Sequence, residues 1–283
     1  MKMALFGINF GPCGSADAMM RVALAAEAAG LESLWTGEHV VLPDPQAPPS
    51  PAKPATPFLD PSVALAAIAA RTKTIRLGTG IIILPQRNPV ELAKELASLD
   101  QVSGGRLIFG LGAGYLEPEF RALGANYAER GAVTDEAIDV LRALWTQEKP
   151  RFAGRYYAFS GIDAHPRPHQ RPHPPIVVGG MSRAAARRAV ARGDGWYGFL
   201  TSPELTAKSL AWIREAQDEG LRPQGQGPLE ISVTPPPPLG PDLVKQYAEL
   251  GVHRIIGLSP ARDVDGMLRF VDELAELARQ AAC

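Results

Sequence analysis

The sequence predicts an α/β fold, a (β/α)8 TIM barrel with insertions after the second strand and before the fifth. Three observations predict it. Apolar, strand-like runs alternate with helical patterns eight times along 283 residues, and such alternation implies parallel strands. The joints repeat: Ala-rich helix ends pass through Gly into the next strand in AAEAAGLESLW, AVARGDGWYG and YAELGVHRII, where Gly suits the left-handed position past a helix end. Hydrophobic residues make up 46% of the chain, enough for the core of one barrel domain over residues 1–283 without disulfides.

The strands fall, in order, at 4–9, 33–36, 75–83, 106–111, 176–178, 196–199, 229–233 and 254–258. Helix starts between them carry cap signals. Asn88-Pro89-Val90-Glu91 combines a capping residue, Pro at the first helical position and an acid in the first turn. Asp60-Pro61 and Ser202-Pro203 repeat the pattern. Leu92, Leu96 and Leu99 share one helical face, suited to packing on the barrel. The first insertion, PDPQAPPSPAKPATP at 43–57, follows the second strand and reads either as a plain surface loop or as a semi-rigid wall over a pocket. The second, 150–175, contains a hairpin-like RFAGRYYAF. Its ends belong to the opposite face, which favours packing or dimer contact over catalysis.

Charge narrows the partners. The net charge is -1, from 29 basic and 30 acidic residues, so no global basic field favours nucleic acid. No apolar run reaches the length of a membrane span, and the start MKMALFGINFG lacks the longer apolar stretch of a signal peptide. Two cysteines at opposite ends, Cys13 and Cys283, read as reduced thiols. A cytoplasmic enzyme acting on a small molecule, with neither nucleic acid nor membrane as partner, is the expectation.

Four places carry candidate chemistry at the strand ends, where parallel α/β folds put their sites. Gly78-Thr79-Gly80-Ile81 and Gly110-Leu111-Gly112-Ala113-Gly114 leave a surface without side chains, serving either tight packing or a flat ring. The spacing is G-x-G-x-G, not the dinucleotide fingerprint. Gly179-Gly180-Met181-Ser182 runs from a strand into RAAARRAV, a turn whose backbone N–H groups and helix dipole suit a phosphate. Glu38-His39 sets an ionisable pair at the end of the second strand, fit for proton transfer. His165, His169 and His173 imitate metal-ligand spacing, but Pro166, Pro168 and Pro172 forbid the helix that would bring them together, and no metal is expected.

These pieces share one order. Leu77–Gly80, Ala93–Asp100, Ser103–Arg106, Gly110–Gly114, Glu129-Arg130-Gly131, Pro172–Ile176, Gly179-Gly180 and Gly193–Trp196 together resemble the bacterial luciferase-like monooxygenase superfamily. The chain is most similar to its branch of coenzyme F420 (deazaflavin)-dependent oxidoreductases, over almost its whole length. The resemblance implies a ring held at the carboxyl end of the barrel against Thr79, Gly80 and Ile81, with a non-proline cis peptide at Gly80-Ile81. It implies a phosphate at Gly112, Ala113 and Gly114 and at Gly179, Gly180, Met181 and Ser182. Glu38 and His39 would be the catalytic pair, at the ring's polar edge or the substrate, and a homodimer is implied. Tyr115 stands where the sugar-phosphate dehydrogenase branch has a catalytic Glu, which argues against a sugar phosphate substrate.

The reaction expected is hydride transfer with F420 to or from a small, fairly apolar substrate, with FMN and oxygen chemistry as the alternative. An aldolase or isomerase would want a Lys at a strand end, and none of the expected strand ends has one. A non-catalytic flavin- or deazaflavin-binding protein would use the same glycines.

Overall fold

A computed structural model describes residues 1–281, so Cys283 lies outside the described residues. The strands are β1 (Lys2–Phe6), β2 (Ser33–Thr36), β3 (Arg76–Thr79), β4 (Ile82–Ile83), β5 (Leu107–Gly112), a hairpin of β6 (Phe152–Ala153) and β7 (Ala158–Phe159), then β8 (Ile176–Gly179), β9 (Gly195–Phe199), β10 (Glu230–Thr234) and β11 (Arg254–Leu258). The helices are α1 (Ala16–Ala28), α2 (Pro61–Ala69), α3 (Pro89–Val102), α4 (Glu117–Ala122), α5 (Arg130–Thr146), α6 (Arg183–Arg192), α7 (Pro203–Asp218), α8 (Pro241–Glu249) and α9 (Val264–Gln280). The sheet runs β3-β2-β1-β11-β10-β9-β8-β5, all parallel, and β3 pairs with β5 to close it. This is the eight-stranded barrel expected, with β4 continuing the third barrel strand. Among the described residues, no helix is long and apolar enough to cross a membrane.

Strand alternation makes two cores. Ala4, Phe6, Trp35, Ile108, Val177, Tyr197 and Ile256 fill the barrel interior. Their neighbours Leu5, Leu34, Leu107, Phe109 and Ile255 pack outward against the helices with Leu92, Leu96 and Leu99 of α3. At the amino-terminal end of the barrel, Arg254 is fully buried, with Nε 2.8 Å from Glu32 and Nη1 paired to Glu230, and its guanidinium lies 5.6 Å from the Trp35 ring. That end is plugged by a satisfied ionic cluster, so the opposite end is the open one.

The caps form as their residues dictate. Asn88 accepts from Val90 N–H at 2.9 Å, Asp60 from Ser62 N–H at 2.9 Å and Ser182 from Ala185 N–H at 3.2 Å. Gly30 and Gly251 take φ +80° and +84° past helix ends. Gly193 does not: its φ is -105°, and Gly is needed there for space, since a Cβ would lie 2.9 Å from the Ala189 carbonyl.

Two strand expectations are corrected. The first strand ends at Phe6 rather than Asn9, because Gly7 turns the chain at φ +86°. The third is not continuous over 75–83. It breaks at Gly80-Ile81, whose peptide is cis as the resemblance implied, and beyond the break β4 pairs only with β5. The second insertion lies over α3 and α5. Glu136 accepts three N–H groups of the 155–157 turn, and Asp100 takes the Gln170 N–H at 2.8 Å.

Candidate active site

The open end of the barrel holds one cavity of about 840 Å³, within the range of small-molecule sites. Its walls differ by side. The β1 and β9 ends supply an aromatic wall: Phe6 lies 5.7 Å from Phe10 and 5.0 Å from Phe199, and Phe10 stacks on Phe58 at 4.8 Å. Pro51 and Ala52 of the first insertion also line the cavity, so that segment forms a wall as well as a surface. Leu200, at the rim beside Phe199, has φ +48°, an uncommon conformation for a side-chain-bearing residue.

The floor resolves the two readings of the glycines. A Cβ on Gly78 would lie 2.5 Å from the Trp35 ring, and one on Gly110 would lie 1.9 Å from the Thr79 carbonyl. These two glycines serve packing. Above them, a Cβ on Gly112 or Gly179 would meet the Ile81 side chain at 2.0 and 2.9 Å. Ile81 therefore fills the glycine surface and itself becomes the apolar floor. Thr79 departs from expectation: its hydroxyl donates to the Gly110 carbonyl at 2.7 Å and accepts the Gly110 N–H at 2.8 Å. It is fully buried and does not line the cavity. Gly80, Ile81, Gly112, Ala113, Gly114, Gly179, Gly180, Met181 and Ser182 all do.

The anion turn is also refined. Gly180 N–H donates to the Tyr197 carbonyl at 3.1 Å and is not available to a ligand. Among the described residues, the N–H groups of Met181, Ser182, Arg183 and Ala184 have no partner at this turn, the last three as the start of a helix leaves them. Two arginines line the same end. Arg188 is held by Asp135 at 2.6 Å. Arg130 has no carboxylate partner among the described residues; its Nε donates to the Gly114 carbonyl at 3.2 Å and its guanidinium lies over the Tyr127 ring at 3.9 Å.

Glu38 and His39 both line the cavity, yet they do not form a pair. Successive residues project differently, and Glu38 turns away to Arg87 and to the Ile83 N–H at 2.5 Å. Arg87 also reaches Asp60 at 2.9 Å, tying the second strand end to α2. Burial pushes the Glu38 carboxyl up from the ordinary carboxylate range, against the pull of Arg87. His39 finds a different carboxylate. Its Nδ1 lies 3.2 Å from Glu119 Oε2, while Glu119 Oε1 accepts the Val40 N–H at 2.6 Å. The His39 ring stands edge-on to Phe58 at 5.7 Å and Tyr115 at 6.1 Å. Burial, and then the Glu119 charge, push the Tyr115 phenol up.

Sequence reasoning missed Glu119 and Arg130. Glu119 follows Pro118 at the start of a short helix, a position that reads as an ordinary first-turn acid. Arg130 sits inside a quoted motif but carries no spacing signal of its own. Cys13 is fully buried in the outer core and does not line the cavity, and burial pushes its thiol up to about 11. Among the described residues no group of three metal-ligating side chains occurs.

Comparison with known proteins adds the following. A family model described as luciferase-like monooxygenase matches residues 7–279. An uncharacterised protein of Mycobacterium tuberculosis is 32% identical over 272 residues, covering 91% of this chain and 92% of that one. The crystal structure of the monooxygenase RslO1 from Streptomyces bottropensis superposes with a TM-score of 0.81 at 25% identity, over the whole of both chains. An F420-dependent secondary alcohol dehydrogenase, in complex with an F420–acetone adduct, superposes with a TM-score of 0.80 at 17% identity over 98% of this chain and 99% of that one, which speaks to the fold.

Proposed function

The chain belongs to the luciferase-like monooxygenase family, and from that premise we propose that it is an oxidoreductase that uses coenzyme F420 for hydride transfer to or from a small, fairly apolar substrate. One observation carries the reading. A single cavity brings together an apolar floor at Ile81, a helix start with free N–H groups, the cation of Arg130 and the imidazole of His39. A ring with a phosphate-bearing tail fits that division: the ring on Ile81, the phosphate toward Met181–Ala184 and Arg130. The resemblance of the ordered motifs to the F420 branch favours the deazaflavin.

When bound, the deazaflavin supplies the hydride chemistry; the protein supplies binding, orientation and electrostatics. The aromatic wall of Phe6, Phe10, Phe58 and Phe199 excludes water and packs the substrate. His39 Nε2, the ring nitrogen not engaged by Glu119, gives or takes the proton that accompanies hydride transfer. Glu38, committed to Arg87 and Ile83, shapes the strand end instead of moving a proton.

A second reading has one observation in its favour. RslO1, a monooxygenase, matches at higher identity than the F420 enzyme, so a monooxygenase is the alternative, for which we take FMN as the flavin. A non-catalytic binding protein would share the cavity but make no use of His39. Titration of the purified protein with F420 and with FMN, followed in the visible spectrum, tests the proposal. Saturable binding of F420 in preference to FMN is expected. Tight FMN binding alone would move the chain to the monooxygenase reading, and binding of neither would refute both.

A further inference from the structure

The geometry points to Glu119 as the positioning residue of the site: it holds the proton of His39 on Nδ1 and so turns Nε2 toward the cavity. The inference rests on the reading that His39 moves a proton, and adds a residue 80 positions away in the chain. Three contacts carry it. Glu119 Oε2 lies 3.2 Å from His39 Nδ1, Glu119 Oε1 accepts the Val40 N–H at 2.6 Å, and the same oxygen lies 3.4 Å from the Val41 N–H. The carboxylate side chain is fully buried and the imidazole is 8% exposed, so the contact between Glu119 and Nδ1 is shielded from water.

The arrangement is directional. A carboxylate receiving two backbone N–H groups on one oxygen is an acceptor only, so the atom facing its other oxygen must carry a hydrogen. That atom is Nδ1. Nε2 makes no hydrogen bond within the described residues and is the nitrogen left for a ligand. The Phe58 and Tyr115 rings stand edge-on to the imidazole and restrict its rotation. During turnover the proton is exchanged between Nε2 and the substrate; the Nδ1 proton stays on His39, and Glu119 gains none. The carboxylate next to His39 in sequence, Glu38, is committed elsewhere and cannot do this.

The structure also supplies a variant that separates positioning from simple support of the loop. In Glu119→Gln the amide oxygen must face the two backbone N–H groups, because an NH2 there would oppose donor to donor. The NH2 then faces His39 and needs a lone pair on Nδ1. The loop contacts survive while the tautomer reverses.

Nitrogen-15 NMR of histidine-labelled protein without cofactor, recorded well above the histidine titration range, reads this directly. The His39 signals are assigned by their loss in His39→Asn. The wild type is expected to show a protonated Nδ1, and Glu119→Gln to lose it in favour of a protonated Nε2. A bare Nδ1 in the wild type, or an unchanged tautomer in a folded Glu119→Gln, would overturn the inference. If Glu119→Gln does not fold, the wild-type spectrum still decides. Because the sample holds neither F420 nor FMN, failure here is distinct from failure of the cofactor assignment.

Discussion

Placing a negative charge in the first turn of α6 should weaken a phosphate-bearing cofactor without harming the fold. Ala184 is the position for it. It is exposed, lines the cavity and sits second in a helix whose first turn holds no acid. For the fold, Ala184→Asp is neutral or favourable: an acid at a helix start gains about 0.3–1 kcal/mol, and Arg188 stands one turn on. For a ligand the sign reverses. With the new carboxylate about 6 Å from a singly charged phosphate, repulsion is about 0.7 kcal/mol at the dielectric of water and about 2.8 kcal/mol at an effective value near 20. Affinity should therefore fall by about threefold to about a hundredfold, and the loss should shrink as salt is added. Calorimetric titration with F420 and with FMN, beside a thermal melt, measures both effects. Ala184→Asn, neutral and of similar size, is the control and should bind nearly as wild type. Wild-type affinity in Ala184→Asp would remove the anion from this helix, and an equal loss in Ala184→Asn would replace charge with shape.

Three further outcomes are expected. Arg254→Ala strips Glu32 and Glu230 of the buried cation they share at the closed end of the barrel and should cost about 3–5 kcal/mol in urea unfolding; a loss below about 1 kcal/mol would show that water and Lys2 compensate the two carboxylates. Gly110→Ala drives a methyl to 1.9 Å from the Thr79 carbonyl and should cost about 3 kcal/mol, whereas near-wild-type stability would mean that β3 and β5 can part. Glu27 is a case for pH: partial burial opposes ionisation, but N–H groups of residues 73–75 prevail and lower its carboxyl from 4.5 to about 2. A depressed folded value means stabilisation that is present above pH 4.5 and lost as pH falls toward 2, so the stability gap between wild type and Glu27→Gln should close across that window, and a constant gap would contradict it.

The barrel was legible because its signals are local and repeated: cap-Pro starts, glycine after helices, and apolar runs of strand length. The site was legible only where it is built from backbone. Gly179–Ser182 announces a turn into a helix whatever surrounds it, although which of its N–H groups remain free depends on Tyr197, a pairing that no spacing reveals. Side-chain partnerships were read less well, since adjacency in sequence is a poor guide to adjacency in space. Glu38 and His39 are neighbours in the chain, but their partners Arg87 and Glu119 come from other strand ends. Thr79 shows the same difficulty in reverse. Its position is that of a site residue, but its hydroxyl is taken by Gly110 on the adjoining strand. Ile81 needed the cis peptide and the glycines of two other strands before its place as floor could be seen.

One asparagine has a consequence for how this enzyme can diversify. Asn9 donates from Nδ2 to the Gly37 carbonyl at 2.9 Å and to the Leu59 carbonyl at 2.6 Å, accepts the Gly37 N–H at 2.8 Å, and takes the Leu59 N–H on its own carbonyl at 2.9 Å. Both roots of the Pro-rich insertion are thus fastened to a single residue of the β1 turn. The insertion is a closed ring hung from the barrel, not a strap strung between two moving supports. Loop-closure entropy rises only slowly with length once the ends are joined, so residues can be added, removed or exchanged at the far side of the ring at small cost. The wall contributed by Pro51 and Ala52 can then be rewritten for a new substrate while Gly37, and His39 beside it, keep their place.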